Sequence, residues 1–114
     1  MITADLTYKI YGLGGHSQGP FKTKNPILAG LDFIRLINER VLYGFDSFDA
    51  VSVKPVALDA GTKGNIIPEN AVLKVEIAAE EERQYEHLLD IFANTSSAVE
   101  KNWDVTFEVN ILVK

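Results

Sequence analysis

The period at which apolar residues recur changes several times along this chain, and the order of those changes limits the folds open to it. Apolar and polar residues alternate over Leu6–Ile10, which predicts a half-buried strand. Asn25 and Pro26 then form a good helix start, because Asn supplies a capping oxygen and Pro loses no needed hydrogen bond. We expect the first helix to run from about Pro26 to Leu42 and to end near Gly44.

The second half of the chain repeats the change of period. Pro55 lies in a β-rich stretch but cannot donate a ladder hydrogen bond, which predicts an edge strand or a bulge there. Three acidic residues, Glu80–Glu82, favour the start of a second helix, where the helix dipole stabilises negative charge. The predicted elements are a strand over Ala50–Leu58, a strand over Ala71–Ile77, a helix ending near Lys101–Asn102 and a strand over Val105–Val113.

The resulting order is β-α-β-β-α-β in a chain of 114 residues, enough for a single domain over residues 1–114. Right-handed crossovers arrange these elements as a four-stranded antiparallel sheet with two helices on one face, a ferredoxin-like α+β sandwich. The apolar residues of the first helix spread over roughly 180°, more than one sheet face covers. We therefore expect a self-association surface on its outward part. The residues predicted for it are Phe33, Leu36, Ile37 and Arg40.

Composition excludes several classes of function. The net charge is −5 and basic residues occur at most in isolated pairs, which argues against a nucleic-acid or acidic membrane surface. There is no cysteine, so there is no disulfide or thiolate site, which fits a reducing cytoplasm. No apolar run approaches the ~20 residues that span a bilayer. We expect a cytoplasmic protein.

Two loops contain the residues that could take part in chemistry. His16 lies among glycines, so its loop can approach a ligand closely, although a mobile surface loop is the simpler reading. The segment Gly61–Asn65 reads first as a tight turn, and His87 as a solvated residue of the second helix. Neither loop matches a dinucleotide fingerprint or a P-loop. One plausible histidine is too few for a two-metal site, so the residues alone indicate a binding or assembly module.

Two longer motifs resemble a known family. The first is Gly14-Gly15-His16-Ser17-x-x-Pro20 before the first helix, and the second runs over Ala60–Ala71 with the sequence AGTKGNIIPENA. Together they resemble the dimerisation (lid) domain of the two-metal aminoacylase/carboxypeptidase metallopeptidases. The best-matching subgroup is the amidohydrolases of N-acyl amino acids, such as hippurate hydrolases and N-acetyldiaminopimelate deacetylases.

The resemblance implies a homodimer, formed through the first helix and an edge strand, of a larger enzyme that cleaves N-acyl amino acids or small peptides. Two zinc or manganese ions would be held by a catalytic domain that this chain lacks, so the chain itself would hold no metal and would be inactive. The family histidine, matched by His16, polarises the scissile carbonyl of the partner subunit's substrate. The family asparagine, matched by Asn65, lies near the substrate carboxylate, with Gly15 and Thr62 beside it as substrate-binding residues.

Three positions depart from the family pattern. Phe21 stands where many relatives have a second histidine, and Ala78 where they commonly have an arginine. Lys63 and Gly64 replace a small apolar pair before the asparagine. We therefore expect a domain excised from an amidohydrolase. A free-standing ferredoxin-like regulatory domain that binds a small molecule, and a relative that is catalytically competent by itself, remain alternatives.

Overall fold

A computed structural model describes all 114 residues and contains the predicted elements together with two further short strands. A single turn of 3₁₀ helix, Pro20–Lys22, precedes the first α-helix. The elements in chain order are β1 (Ile2–Tyr11), β2 (Gly15–His16), α1 (Pro26–Gly44), β3 (Val51–Ala60), β4 (Ile66–Ile67), β5 (Asn70–Ala79), α2 (Glu82–Trp103) and β6 (Thr106–Val113). None of the helices is both long and apolar enough to cross a bilayer.

The four long strands form one antiparallel sheet in the order β3-β5-β1-β6. Residues of β1 alternate between the buried and the open face, and Leu6, Tyr8 and Ile10 lie in the core beneath the helices. This arrangement confirms the predicted α+β sandwich. Tyr11 pairs with Asn70 at one end of the sheet, which we call the loop end. Ile2 pairs with Ala79 at the opposite end.

The core is centred on a cluster of aromatic rings between the sheet and the helices. Tyr8 contacts Phe33 edge-to-face with ring centroids 4.9 Å apart, and Phe33 contacts Phe92 at 6.0 Å. Burial raises the pKa of the Tyr8 hydroxyl far above its ordinary value. No buried side-chain nitrogen or oxygen lacks a hydrogen-bond partner, so burial leaves no side-chain polar group of the interior unpaired.

The helix ends follow from local sequence. The Asn25 side chain accepts a hydrogen bond of 2.9 Å from the backbone N–H of Ile27, which confirms the predicted cap of α1. At the start of α2, Glu81 and Gln84 form a reciprocal capping box, a pair that the sequence reading did not identify. The left-handed residue that ends α2 is Asp104, with φ of 54°, rather than the Asn102 region we expected.

Strand β3 lies at the edge of the sheet, and its pairing is irregular at Pro55, as the sequence predicts. The register with β5 changes between Pro55 and Ala57, as a bulge requires. At Gly30, α1 approaches the sheet closely, and an added Cβ would lie 3.3 Å from side-chain atoms of both Ile10 and Leu58. Glycine at this position therefore lets α1 pack closely on both β1 and β3.

The structure corrects the predicted outward face of α1. Phe33 and Ile37 are only 1% and 2% exposed and belong to the core, so the expectation that they face outward is wrong. The helix packs against both the sheet and α2, and two neighbours cover the wide apolar arc that one sheet face could not. Leu36 is half-buried against the core and Arg40 is exposed. The apolar residues of α1 that remain exposed are Leu28, Leu31, Leu42 and Tyr43.

Candidate functional site

The two loops that contain the candidate residues meet at the loop end of the sheet. Gly15 pairs with Ile67 and His16 pairs with Ile66, which makes a short two-stranded ribbon of β2 and β4. The backbone N–H of Ser17 extends this contact by donating to the carbonyl oxygen of Asn65 at 3.1 Å. The ribbon therefore fixes His16 and Asn65 relative to each other, although each lies in a stretch that reads as an irregular loop.

Close backbone contact explains the glycines that precede His16. A Cβ on Gly14 would lie 2.6 Å from the carbonyl oxygen of Ile67, closer than any real Cβ contact allows. A Cβ on Gly12 would overlap the carbonyl oxygen of Lys24. Leu13 between them exchanges two backbone hydrogen bonds of 2.9 Å with Lys24. The loop is thus held by backbone contacts on both sides rather than left mobile.

The hydrogen bond at one ring nitrogen of His16 sets what the other nitrogen can do. The backbone N–H of Gln18 donates to Nδ1 of His16 at 3.2 Å. In the neutral ring, Nδ1 then carries no proton and Nε2 carries one. The imidazole is exposed, and its Nε2–H is available to donate to a ligand oxygen. Oxyanion stabilisation requires a donor of this kind.

Two neighbouring clefts share the Thr62–Lys63 loop in their lining, next to the ribbon. The larger has a volume of about 650 Å³ and includes Asp59 and Glu69 in its lining; we call it the Glu69 cleft. The smaller has a volume of about 470 Å³ and includes Ser17 and Gly64; we call it the Ser17 cleft. Thr62 and Lys63 line both clefts, so the predicted substrate-binding residue Thr62 lies where a ligand has room to bind.

The remaining candidate positions lie away from a common centre. His87 is exposed, as expected, but its Nε2 is 2.9 Å from the carbonyl oxygen of Gly44, to which it donates, so it caps the end of α1. Phe21 is exposed beside the ribbon, whereas Ala78 pairs with Thr3 near the opposite end of the sheet. Nowhere do three His, Asp or Glu side chains converge as metal ligands. The residues of this chain therefore do not fit a zinc or manganese site.

Sequence reasoning found the two loops but missed the ribbon that joins them. Strands of two residues have no readable period, so only the backbone pairing of His16 with Ile66 shows them. The sequence also identified Lys63 only as a departure from the family motif, whereas in the structure Lys63 lines both clefts.

Comparison of this chain with known proteins finds a match to a protein family over most of its length. The family described as the peptidase dimerisation domain matches residues 1–104. A hippurate hydrolase of Campylobacter jejuni is 34% identical over 80 residues, which are 69% of this chain and 21% of that protein. An N-acetyldiaminopimelate deacetylase of Brevibacillus brevis is 31% identical over 72 residues, 63% of this chain and 19% of that protein.

Solved structures with low sequence identity share the fold. An aminobenzoyl-glutamate utilization protein from Klebsiella pneumoniae superposes with a TM-score of 0.84 at 21% identity. The match covers 98% of this chain and 28% of that protein. The chain spans about a fifth of the length of the two curated relatives above.

Proposed function

Because this chain belongs to the peptidase dimerisation domain family, we propose that it is the dimerisation and lid domain of a larger metal-dependent amidohydrolase. The proposed substrates are N-acyl amino acids or small peptides, the class that the names of its hippurate hydrolase and deacetylase relatives suggest. The observation that carries the proposal is the ribbon that holds His16 beside Asn65 on a domain without metal ligands. Such a site can assist a reaction but must be completed by another domain.

The proposed homodimer contact is an apolar stripe of α1 that lies beside β3. Ile34 lines a small gap with Val53 of β3, and Ile27 lines the Ser17 cleft with Ala60 at the end of the same strand. Leu31 falls between these two isoleucines at helical spacing and is half exposed. A second copy that packs on this stripe would also bring the free edge of β3 against its equivalent, as an isologous contact requires.

In this proposal His16 acts on the substrate held by the partner subunit. Its Nε2–H donates to the oxygen of the scissile carbonyl, and the hydrogen bond strengthens as negative charge develops on that oxygen. The Asn65 side chain is a neutral amide that can both donate and accept, so it can bind the substrate near its carboxylate end without competing for a metal. The two zinc or manganese ions expected of such an enzyme would belong entirely to the catalytic domain.

Steady-state kinetics of the full-length dimer test these two roles. His16→Ala removes an oxyanion donor, so kcat should fall by roughly 10²–10³-fold. Asn65→Ala should act partly through KM, because a substrate-binding contact is lost. Both side chains are exposed, so neither variant should change the melting temperature appreciably. A His16→Ala enzyme with wild-type kcat would refute the proposed role.

A further inference from the structure

Strand β6 forms the edge of the sheet opposite to β3, and β1 is the only strand that pairs with it. The pairing keeps one unbroken register along the whole of β6. The pairing of β3 is irregular at Pro55, which also has no N–H to offer a further strand. Of the two edges, β6 is therefore the one better suited to accept another strand.

The backbone groups of β6 alternate between β1 and solvent. The N–H of Lys114 donates to the carbonyl oxygen of Thr3 at 2.9 Å, so the even-numbered residues of this strand face β1. The odd-numbered residues face outward, as Phe107 shows by donating its N–H to the carboxylate of Glu100 at 2.8 Å. The other outward-facing residues, which no loop or side chain satisfies and which we call the outer row, are Val109, Ile111 and Val113.

The side chains of the outer row are apolar and uncovered. Ile111 pairs with the core residue Leu6, so the row lies on the side of the sheet that the helices pack against. The helices do not reach it, because the three side chains remain 44%, 41% and 57% exposed in chain order. Only Phe107 of this strand packs against the core. Unpaired backbone groups and exposed apolar side chains thus coincide in one short segment, as at a contact surface.

The charged residues of the strand are placed symmetrically about the same segment. Glu108 and Lys114 each lie three residues from Ile111, and both are on the open face of the sheet. In an antiparallel pair of β6 strands with its two-fold axis at Ile111, Glu108 lies opposite Lys114 of the second copy. Lys114 is already 3.0 Å from Asp5, so it would lie between two carboxylates. The strand is self-complementary in hydrogen bonds, apolar side chains and charge about one point.

From these three features we infer that β6 is a second self-association edge, which pairs antiparallel with β6 of another copy of this chain and is centred on Ile111. This edge lies across the sheet from the proposed α1 and β3 contact, so one copy can use both. Two isologous contacts on opposite edges join dimers into larger assemblies. The inference goes beyond the proposed function and does not depend on the role of His16.

Cysteine variants of the full-length protein test the contact and its register. This domain contains no cysteine, so a disulfide formed by an introduced thiol can be located in its peptides by mass spectrometry. In Ile111→Cys the two thiols face each other, with Cα atoms about 5.5 Å apart, inside the range in which disulfides form. Thr106→Cys is the matched control, because it is exposed on the same strand but would lie roughly 30 Å from its equivalent. Mild oxidation at high micromolar protein should link only Ile111→Cys.

Sedimentation equilibrium measures the same contact without a cross-link. Ile111→Lys places two like charges opposite each other, so the dissociation constant for the association of dimers should rise roughly tenfold or more. The melting temperature should change little, because the side chain is 41% exposed. Leu31→Asp removes the other proposed contact and should leave the disulfide of Ile111→Cys intact.

Three results would overturn the inference. They are an unlinked Ile111→Cys protein, a Thr106→Cys protein that links as readily, and an Ile111→Lys protein whose association equals that of the wild type. If Leu31→Asp still dissociates the dimers in any of these cases, only the β6 contact is refuted and the proposed dimer stands. Loss of the Ile111→Cys link in Leu31→Asp would show that the β6 edge does not associate by itself, which also contradicts the inference.

Discussion

The backbone N–H of Ser17 donates a hydrogen bond of 3.1 Å to the carbonyl oxygen of Asn65, and this bond joins two loops that are far apart in the chain. One loop follows β1 and contains His16, and the other follows β3 and contains Asn65. Because the bond continues the β2–β4 pairing, a displacement of either loop would move both candidate residues. The geometry of the site therefore depends on backbone packing as much as on the two side chains.

The packing of Gly14 should be essential to that geometry. In Gly14→Ala the new Cβ would lie 2.6 Å from the carbonyl oxygen of Ile67, so β2 must move away from β4. We expect a loss of about 1–3 kcal/mol in the free energy of unfolding, the usual cost of overpacking. Amide hydrogen exchange at Ser17 should become faster, because its bond to Asn65 is weakened.

Gly64→Ala is the matched control for this substitution. A Cβ at Gly64 meets no heavy atom within 4 Å, although the residue lies in the second of the two loops. Its unfolding free energy and the exchange rate at Ser17 should match the wild type. If Gly14→Ala behaves in the same way as Gly64→Ala, close packing does not hold the ribbon together.

The exposed and buried residues of α1 predict which substitution weakens self-association without unfolding the domain. Leu31 is 50% exposed, so Leu31→Asp should weaken self-association of the full-length protein while the fold stays intact. Ile37 is 2% exposed, so Ile37→Asp should unfold the domain by burying a charge in the core. Sedimentation velocity and circular dichroism distinguish the two effects. Unchanged association of the folded Leu31→Asp variant would exclude the proposed stripe as the dimer contact.

Asp32 should make folding stability depend on pH. Partial burial acts to raise the pKa of its carboxyl, but hydrogen bonds from Trp103 and Arg35 outweigh it and hold the pKa below its ordinary value. A lowered pKa in the folded state stabilises the fold above the unfolded-state pKa of about 3.9, and this stabilisation is lost as the pH falls through the folded-state value. Urea unfolding from pH 7 to pH 2 should show the stability difference between wild type and Asp32→Asn shrinking below about pH 4.

Trp103→Phe tests the cause of that pH dependence. It removes the indole N–H that donates to Asp32 at 3.1 Å and keeps an aromatic ring in place. The pH-dependent part of the stability should therefore decrease in this variant. A stability difference between wild type and Asp32→Asn that is the same at pH 7 and pH 2 would show that the carboxylate is not stabilised in the fold.

Sequence patterns predicted the architecture because each long element has a clear period. The alternation over Leu6–Ile10 and the Asn25–Pro26 start of α1 both appear in the structure as expected. The face of α1 could not be assigned correctly, because a helical wheel shows how wide an apolar arc is and not how many neighbours cover it. The wheel therefore predicts that Phe33 faces outward, whereas the structure buries it between the sheet and α2.

The residues of the candidate site could be predicted from the sequence, but the pairing of the two loops that contain them could not. Glycines around His16 indicated close backbone approach, and the structure shows that approach at Gly14. The partner of that loop could not be predicted, since the pairing of His16 with Ile66 spans distant segments and involves two residues on each side.

In the proposed dimer, this domain supplies His16 to the active site of the partner subunit. The most direct measurement mixes full-length His16→Ala subunits in equal amounts with subunits whose metal site is destroyed. Random exchange makes about half of the dimers mixed, and each mixed dimer contains one complete site, so activity should return to roughly a quarter of the wild-type value. If subunit exchange is verified by mass and no activity returns, His16 does not act across the dimer, which contradicts the proposed function.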